Sequence, residues 1–253
     1  MPRTILNRGG MSYRIRHATL LIDLKQMHRI ISSAPRGGGI RRARSILNHQ
    51  VPANPSVDIR LVAKKWSDPA RYLGRLATRL KARMPVVGLM TAVPMTQLVV
   101  DREQCGSVWI ECFCTVGVTN AVGAGERPPS TNNDDHRPGT INIILITNAT
   151  LSMTALVGAV QVATESKTGT LIQHKVRSAA QASLLATGTG TDAVVIASSL
   201  EGRCRIPYSG THTEMGMMIG RLVTRCVQEG LRRSDRWVQG RSTRNHRSPT
   251  FPR

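Results

Sequence analysis

Five runs of small and polar residues interrupt the apolar segments of this chain, and they limit where its strands and helices can start and stop. In order they are Ser32-Ser33-Ala34-Pro35 with Gly37-Gly38-Gly39, Gly117 to Ala121 (GVTNA), Pro138 to Asn142 (PGTIN), Thr187 to Asp192 (TGTGTD) and Gly210 to Thr213 (GTHT). Each lies at the edge of an apolar run or an amphipathic helix. Such edges let backbone amides, hydroxyls and amide side chains converge on a ligand while the regular elements hold them.

Between the breaks, the apolar patterning alternates strands with helices. Ile141 to Thr147 (INIILIT) is the strongest strand signal, and Pro85 to Thr91, Leu98 to Asp101, Val108 to Val118 and Ala193 to Ser198 follow the same logic. His17 to Leu24 and Arg29 to Ser33 read as a strand pair, and Ile40 to His49 as a short basic helix stopped by Pro52 and Pro55. Asp68 with Pro69 starts a helix to about Arg83. Ser152 caps a helix to about Glu165, with Leu156, Val160 and Ala163 inward. Thr213 or Glu214 opens the last helix, with Met218, Ile219, Leu222, Val223 and Cys226 on one face. Glu126 to Arg137 is a polar loop rich in turn formers. Several strands come in pairs, unlike the strict alternation of doubly wound folds. The expectation is a single mixed α/β (α+β) domain, a largely aliphatic sheet flanked by helices, spanning residues 17–233. Residues 1–16 read as a basic extension and 234–253 as a basic, disordered tail. Translation starting at Met11 is an alternative for the N-terminus, whose Arg-rich, acid-poor character is also that of a transit peptide.

With aromatics at 3% the core is aliphatic, and a stacking platform for single-stranded nucleic acid is not expected. The net charge of +20 attracts polyanions, but it is uneven: arginines crowd both ends and Gly88 to Leu200 is nearly balanced. Basic tails on a compact body are the plain reading, and a polyanion-binding appendage the functional one. Five cysteines fit no simple disulfide framework and read as reduced thiols, with Cys112 and Cys114 on one strand face. No apolar run reaches membrane-spanning length and no secretory signal is visible, so a cytoplasmic location is expected.

Several polar residues stand where chemistry could occur. Thr187, Thr189 and Thr191 line a glycine turn that is neither a P-loop nor a dinucleotide fingerprint, and a tight turn capped by Asp192 is its structural alternative. Thr140 and Asn142 lead into the buried strand, where Asn142 must be hydrogen-bonded. Asn120 and Asn148 follow apparent strands. His212 sits in a glycine hinge before a helix, as a base or as a helix cap. Glu165 with Lys167 could be a base and its charge partner. No metal motif is present, though Asp192, His212 and Glu165 could share an ion.

Taken in order, these pieces resemble the adenosylcobinamide amidohydrolase family of corrinoid salvage. The resemblance runs through Ile30 to Asn54, Val87 to Pro94, Val116 to Gly125, Pro138 to Asn148, Thr164 to Thr168, Ala186 to Val194 and Tyr208 to Leu222, covering most of Leu20 to Gly230. Glu126 to His136 is longer than the family's usual link. The resemblance implies hydrolysis of the linear amide joining aminopropanol to the corrin ring, giving adenosylcobyric acid, with a small-molecule corrinoid substrate as partner and no cofactor. Amide hydrolysis needs an attacking group, a stabilised oxyanion and a proton for the leaving amine. For these roles the residues suggest His212 as base and acid, Asp192 orienting it and Glu165 as a second base. Ser32, Ser33, Asn120, Thr140, Asn142, Asn148, Thr187, Thr189 and Thr191 would hold the substrate. A Ser32 or Thr191 nucleophile is an alternative. A non-catalytic corrinoid carrier and a basic nucleic-acid-binding protein are competing readings.

Overall fold

A computed structural model describes residues 4–6, 11–51, 68–127 and 139–245, with side chains at 11–51, 68–127 and 139–235. Its nine-stranded sheet contains β1 (Thr4–Leu6), β2 (Ser12–Arg16), β3 (Thr19–Ser32), β4 (Gly39–Gln50), β5 (Val86–Thr91), β6 (Val99–Cys105), β7 (Val108–Val116), β9 (Ile141–Thr147) and β12 (Ala193–Ser199). Two short ladders flank it: β8 (Ala121–Val122) with β11 (Gly188–Thr189), and β10 (Thr150–Leu151) with β13 (Arg205–Ile206). The described helices are α1 (Pro69–Arg79), α2 (Met153–Gln173) and α3 (Glu214–Asn245), with a short 3-10 turn at Met95–Gln97. The fold is mixed α/β, as the patterning implied.

The sheet folds over itself. β3 and β4 form a long hairpin whose register shifts between Asp23 and His28. Before the shift β3 pairs with β2, and after it with β12. The two halves therefore join different layers, and alternating side chains fill three cores. The inner core lies between the layers, with Leu20, Ile22, Ile46 and Leu89 facing Phe113, Ile144, Ile146 and Val195. On one outer face Leu21, Leu47 and Val86 meet Leu73, Leu76 and Ala77 of α1. On the other, Ile110, Cys112, Cys114, Ile141, Ile143 and Leu145 meet α2 and α3. The layer order is helix, sheet, sheet, helices. The aliphatic alternation of β7 and β9 serves both sides: odd positions of β9 face the helices and even ones the inner core.

Several sequence expectations change. Ile40 to His49 is not a helix but most of β4, paired with β3 and β5. Its apolar spacing at Ile40, Ala43, Ile46 and Leu47 fits a helix locally, but hydrogen bonding to two neighbouring strands decides it. The expected strand pair between His17 and Ser33 is a single bent strand. α1 ends at Arg79, whereas α2 runs eight residues past Glu165 to Gln173. Residues 1–16 contribute β1 and β2 to the sheet. α3 continues to Asn245, beyond the compositional boundary at Ser234. Most of the Glu126 to Arg137 loop, with Pro138, lies outside the described residues.

The caps at Asp68 and Ser152 form as expected. Asp68 Oδ1 accepts from Arg71 N at 2.8 Å, and Ser152 Oγ accepts from Ala155 N at 3.0 Å. Cys112 and Cys114 share the helix-facing side of β7, and all five cysteines are free thiols. Among the described residues, no helix is long and apolar enough to cross a membrane.

Candidate active site

Strand order determines which polar runs meet. β9 and β12 are parallel, with Asn142 opposite Ala193, while β7 is antiparallel to β9, with Val116 opposite Ile141. The starts of β9 and β12 and the end of β7 therefore lie at one end of the sheet. Gly117 N donates to Thr140 O at 3.0 Å. Ser33 N donates to Val194 O at 3.1 Å, and Val194 N donates back to Ser33 Oγ at 3.0 Å. Thr189 pairs with Ala121 across the β8–β11 ladder. Four of the five small-and-polar runs converge here.

At their centre is Asp192. Its Oδ1 accepts from Ile141 N at 3.0 Å and from Thr189 Oγ1 at 2.5 Å, and its Oδ2 accepts from Thr189 N at 3.0 Å and from Lys167 Nζ at 2.5 Å. Both side chains of the ion pair are sheltered, 9% exposed for Lys167 and 14% for Asp192. The carboxylate is fixed in orientation by this set of donors, and the ammonium beside it is largely shielded from bulk water. Thr140 Oγ1 and Thr191 Oγ1 lie 2.7 Å apart, and both hydroxyls reach Gly139 O. Thr191 is exposed at the surface of this cluster, whereas Thr140 is buried.

Deeper in, Asn142 Nδ2 donates to Asn48 Oδ1 at 3.0 Å and to Met90 O at 2.8 Å, and Asn48 Nδ2 donates to Thr115 Oγ1 at 3.2 Å. This amide chain ties the two sheet layers at the same end. Asn120 Oδ1 lies against Gly139, where any side chain on residue 139 would collide with it. Ser32 Oγ accepts from Ala34 N at 2.9 Å, and Thr187 Oγ1 accepts from Ala124 N at 2.8 Å. Ser32, Ser33, Asn120, Thr140, Asn142, Thr187, Thr189, Thr191 and Asp192 thus occupy one region.

His212, Asn148 and Glu165 do not share it. Ser209 Oγ donates to Ala155 O at 2.6 Å, which seats the His212 loop beside the first turn of α2. Lys167 is twelve residues further along that helix, about 18 Å of axis. His212 is exposed and lies toward the opposite end of the strands from Asp192. The expected His212–Asp192 pairing is corrected by this geometry, because about 18 Å along α2 separates its two members. Asn148 follows the end of β9, about 20 Å from its start, where its side chain pairs with Trp109 N and Ser107 O. Glu165 points to solvent and accepts from Gln161 Nε2 at 3.2 Å, since two residues along a helix turn it away from Lys167. A metal shared by Asp192, His212 and Glu165 does not fit this arrangement. Among the described residues, no group of three His, Cys, Asp or Glu is placed to hold an ion.

Asn48 and Thr115 are the members that sequence reasoning left out of the site, and Lys167, read there as the charge partner of Glu165, pairs instead with Asp192. Lys167 continues the inward series Leu156, Val160 and Ala163, and a cation on an apolar helix face signals a buried partner. Asn48 was hidden by reading its strand as a helix.

The family model described as adenosylcobinamide amidohydrolase matches residues 5–239. An uncharacterized protein of Methanocaldococcus jannaschii is 29% identical over 234 residues, covering 86% of this chain and 87% of its own length. The adenosylcobinamide amidohydrolase of Methanosarcina mazei is 31% identical over 233 residues, covering 87% and 98%. That of Halobacterium salinarum is 32% identical over 149 residues, covering 58% and 57%.

Proposed function

The chain belongs to the adenosylcobinamide amidohydrolase family, and from that membership we propose that it hydrolyses the amide joining aminopropanol to the corrin ring of adenosylcobinamide. The products are adenosylcobyric acid and the free amino alcohol, in corrinoid salvage. The observation that carries the placement of the site is the convergence of four polar runs on the Asp192–Lys167 pair. A corrinoid is large and bears primary amides, which suits Asn and Thr side chains and exposed backbone groups.

In this reading, Lys167 supplies the positive charge for the developing oxyanion, in a sheltered position where such charge is most effective. Asp192 holds the ammonium in place. Thr140 and Thr191 orient the scissile amide, and Thr191 is the hydroxyl within reach of solvent. Attack by water, with both of its protons ending on the departing nitrogen, balances the reaction as carboxylate plus protonated amine.

Purified protein incubated with adenosylcobinamide should yield a new carboxylate, followed by the mass of the corrinoid product. Lys167→Met should lower kcat by about 100-fold or more, with the protein folded, and Thr191→Val should also be impaired. His212→Ala should keep activity within about twofold, as for a surface change distant from the chemistry. A folded His212→Ala protein without activity would move the site to the other end of the sheet. A second reading, a corrinoid carrier without turnover, is favoured by the full set of donors on Asp192, which also suits a purely structural pin. Binding of adenosylcobinamide with no product would establish it.

A further inference from the structure

The bend in β3 opens a second concave site, away from the Asp192 cluster. Between Asp23 and His28, β3 advances five residues while its partner β4 advances two, and Lys25 takes left-handed backbone with φ of 60°. Extra residues in one strand of a pair bend it and interrupt its ladder. The two layers part at this bend and leave a cavity of about 340 Å³. Met11 and Leu24 wall it on one layer, and Trp109, Ile146 and Ser199 on the other. The exposed Lys25 and Gln26 mark its mouth. Ser199 ends β12, whereas Asp192 precedes its start, so about 20 Å of strand separates the cavity from the Asp192 cluster. Its volume is at the small end for ligand sites, too small for a corrinoid.

His28 gives this cavity its chemistry. Ile30, two residues on, faces the inner core, so His28 does too, at 7% exposure. Its Nδ1 lies 3.2 Å from Gln26 O, which places the ring proton on Nδ1. Burial lowers the ring pKa from 6.5, against the opposing pull of the Gln26 carbonyl, so the imidazole is neutral at pH 7. Nε2 then carries a lone pair, and among the described residues it has no hydrogen-bond partner. A buried acceptor left without a donor is costly, and an N–H or O–H brought in by a ligand would satisfy it. Ser199, the register partner of His28, accepts from Glu201 N at 3.2 Å and has its own hydroxyl proton to give.

The remaining polar groups are committed elsewhere. Asn148 spends its amide on Trp109 N and Ser107 O. Lys25 Nζ lies 3.4 Å from Asp23 Oδ2, and Asp23 shares the outer face of β3 with Leu21, so the ammonium is drawn out of the cavity. The Trp109 ring is held by the Arg102 guanidinium, 4.3 Å from its centroid. We propose that this cavity binds a small, flat, uncharged molecule, an aromatic ring bearing an O–H or N–H, which packs against Met11, Leu24, Trp109 and Ile146 and donates to His28 Nε2.

The test dialyses the full-length protein at pH 7 against 2-naphthol or its methyl ether, with free ligand measured by its own fluorescence. 2-Naphthol should bind saturably, and the ether, which has no proton to donate, about 2- to 10-fold more weakly. His28→Leu keeps an apolar wall and removes the acceptor, so it should erase the difference between the two. Ser199→Leu, whose longer side chain fills the cavity, should abolish binding of both, and it decides the question if His28→Leu does not fold. Turnover of adenosylcobinamide by the folded variants should match that of the wild type, and the binding result does not depend on it. The proposal is overturned if 2-naphthol shows no saturable binding or binds no better than its ether. It is equally overturned if the difference survives in His28→Leu, or if Ser199→Leu binds as the wild type does.

Discussion

Asp192 and Glu111 show how differently two sheltered carboxylates can be used. Asp192 has donors from three parts of the chain, Ile141, Lys167 and Thr189, so its substitution affects the fold as well as the chemistry. Asp192→Asn leaves the Lys167 ammonium sheltered without its counter-charge. This should cost about 3 kcal/mol, measured as a lower urea midpoint together with lost turnover. Glu111 lies on the inner-core side of β7 at 3% exposure, with Arg102 Nη1 3.8 Å from Oε2. Burial pushes its carboxyl up from the ordinary 4.5 to about 7, Asp101 adds to the rise and Arg102 opposes it. The folded protein then keeps this proton to about pH 7, while the unfolded chain releases it near 4.5. Between those values unfolding releases a proton, so stability falls as pH rises, by about 3 kcal/mol over the whole window. Glu111→Gln should remove this decline. Urea midpoints at pH 5 and pH 8 should differ less in the variant than in the wild type, and equal differences would refute the assignment. The strand position of Glu111 could be read from the sequence. Its burial could not, because that depends on a second sheet layer covering β7.

At the scale of elements, the His212 loop acts as a joint between helices. Ser209 Oγ bonds the Ala155 carbonyl of α2, and Gly216 in the first turn of α3 lies directly against the Gly210 carbonyl. A methyl group at 216 would normally favour a helix by about 1 kcal/mol over glycine. Here it would strike backbone, and overpacking costs about 1 to 3 kcal/mol. Gly216→Ala should therefore destabilise the protein despite the helix propensity gained, and a raised thermal midpoint would contradict the close approach. Because the Asp192 cluster lies at the other end of the strands, kcat of the folded variant should be nearly unchanged.

The same contrast explains what the sequence revealed of these elements. Caps at Asp68 and Ser152 and the strand Ile141–Thr147 are local, and the residues themselves announce them. The convergence of Ser33, Thr140 and Asp192 was anticipated because each follows or precedes a strand. β4 was missed because Ile40, Ala43, Ile46 and Leu47 satisfy helical spacing, and only distant pairing with β3 and β5 selects the strand. His212 was attractive for its neighbours in sequence, but the parallel pairing of β9 with β12 and the return path of α2 put it elsewhere.

For the whole molecule, the decisive feature is the change of layer along the β3–β4 hairpin. Leu20 and Ile22 face the inner core while Leu21 between them faces α1, so one strand belongs to two cores at once. Asn142 and Asn48 then join the layers through a buried amide pair. Loosening one core must loosen its neighbour, and α1 cannot detach as an independent unit. Leu73→Ala, which opens a cavity in the small core under α1, should cost about 2 to 5 kcal/mol. The loss should be felt globally rather than as early melting of α1. The check needs two probes. With Trp66 and Trp237 replaced by Phe, fluorescence reports Trp109, which is buried in the inner core, while far-UV circular dichroism reports the helices. Coincident urea transitions in both the wild type and Leu73→Ala backgrounds are expected for one cooperative unit. A circular dichroism transition that precedes the Trp109 transition in the variant would show that the layers are energetically separable, and that the shared hairpin does not bind them into one domain.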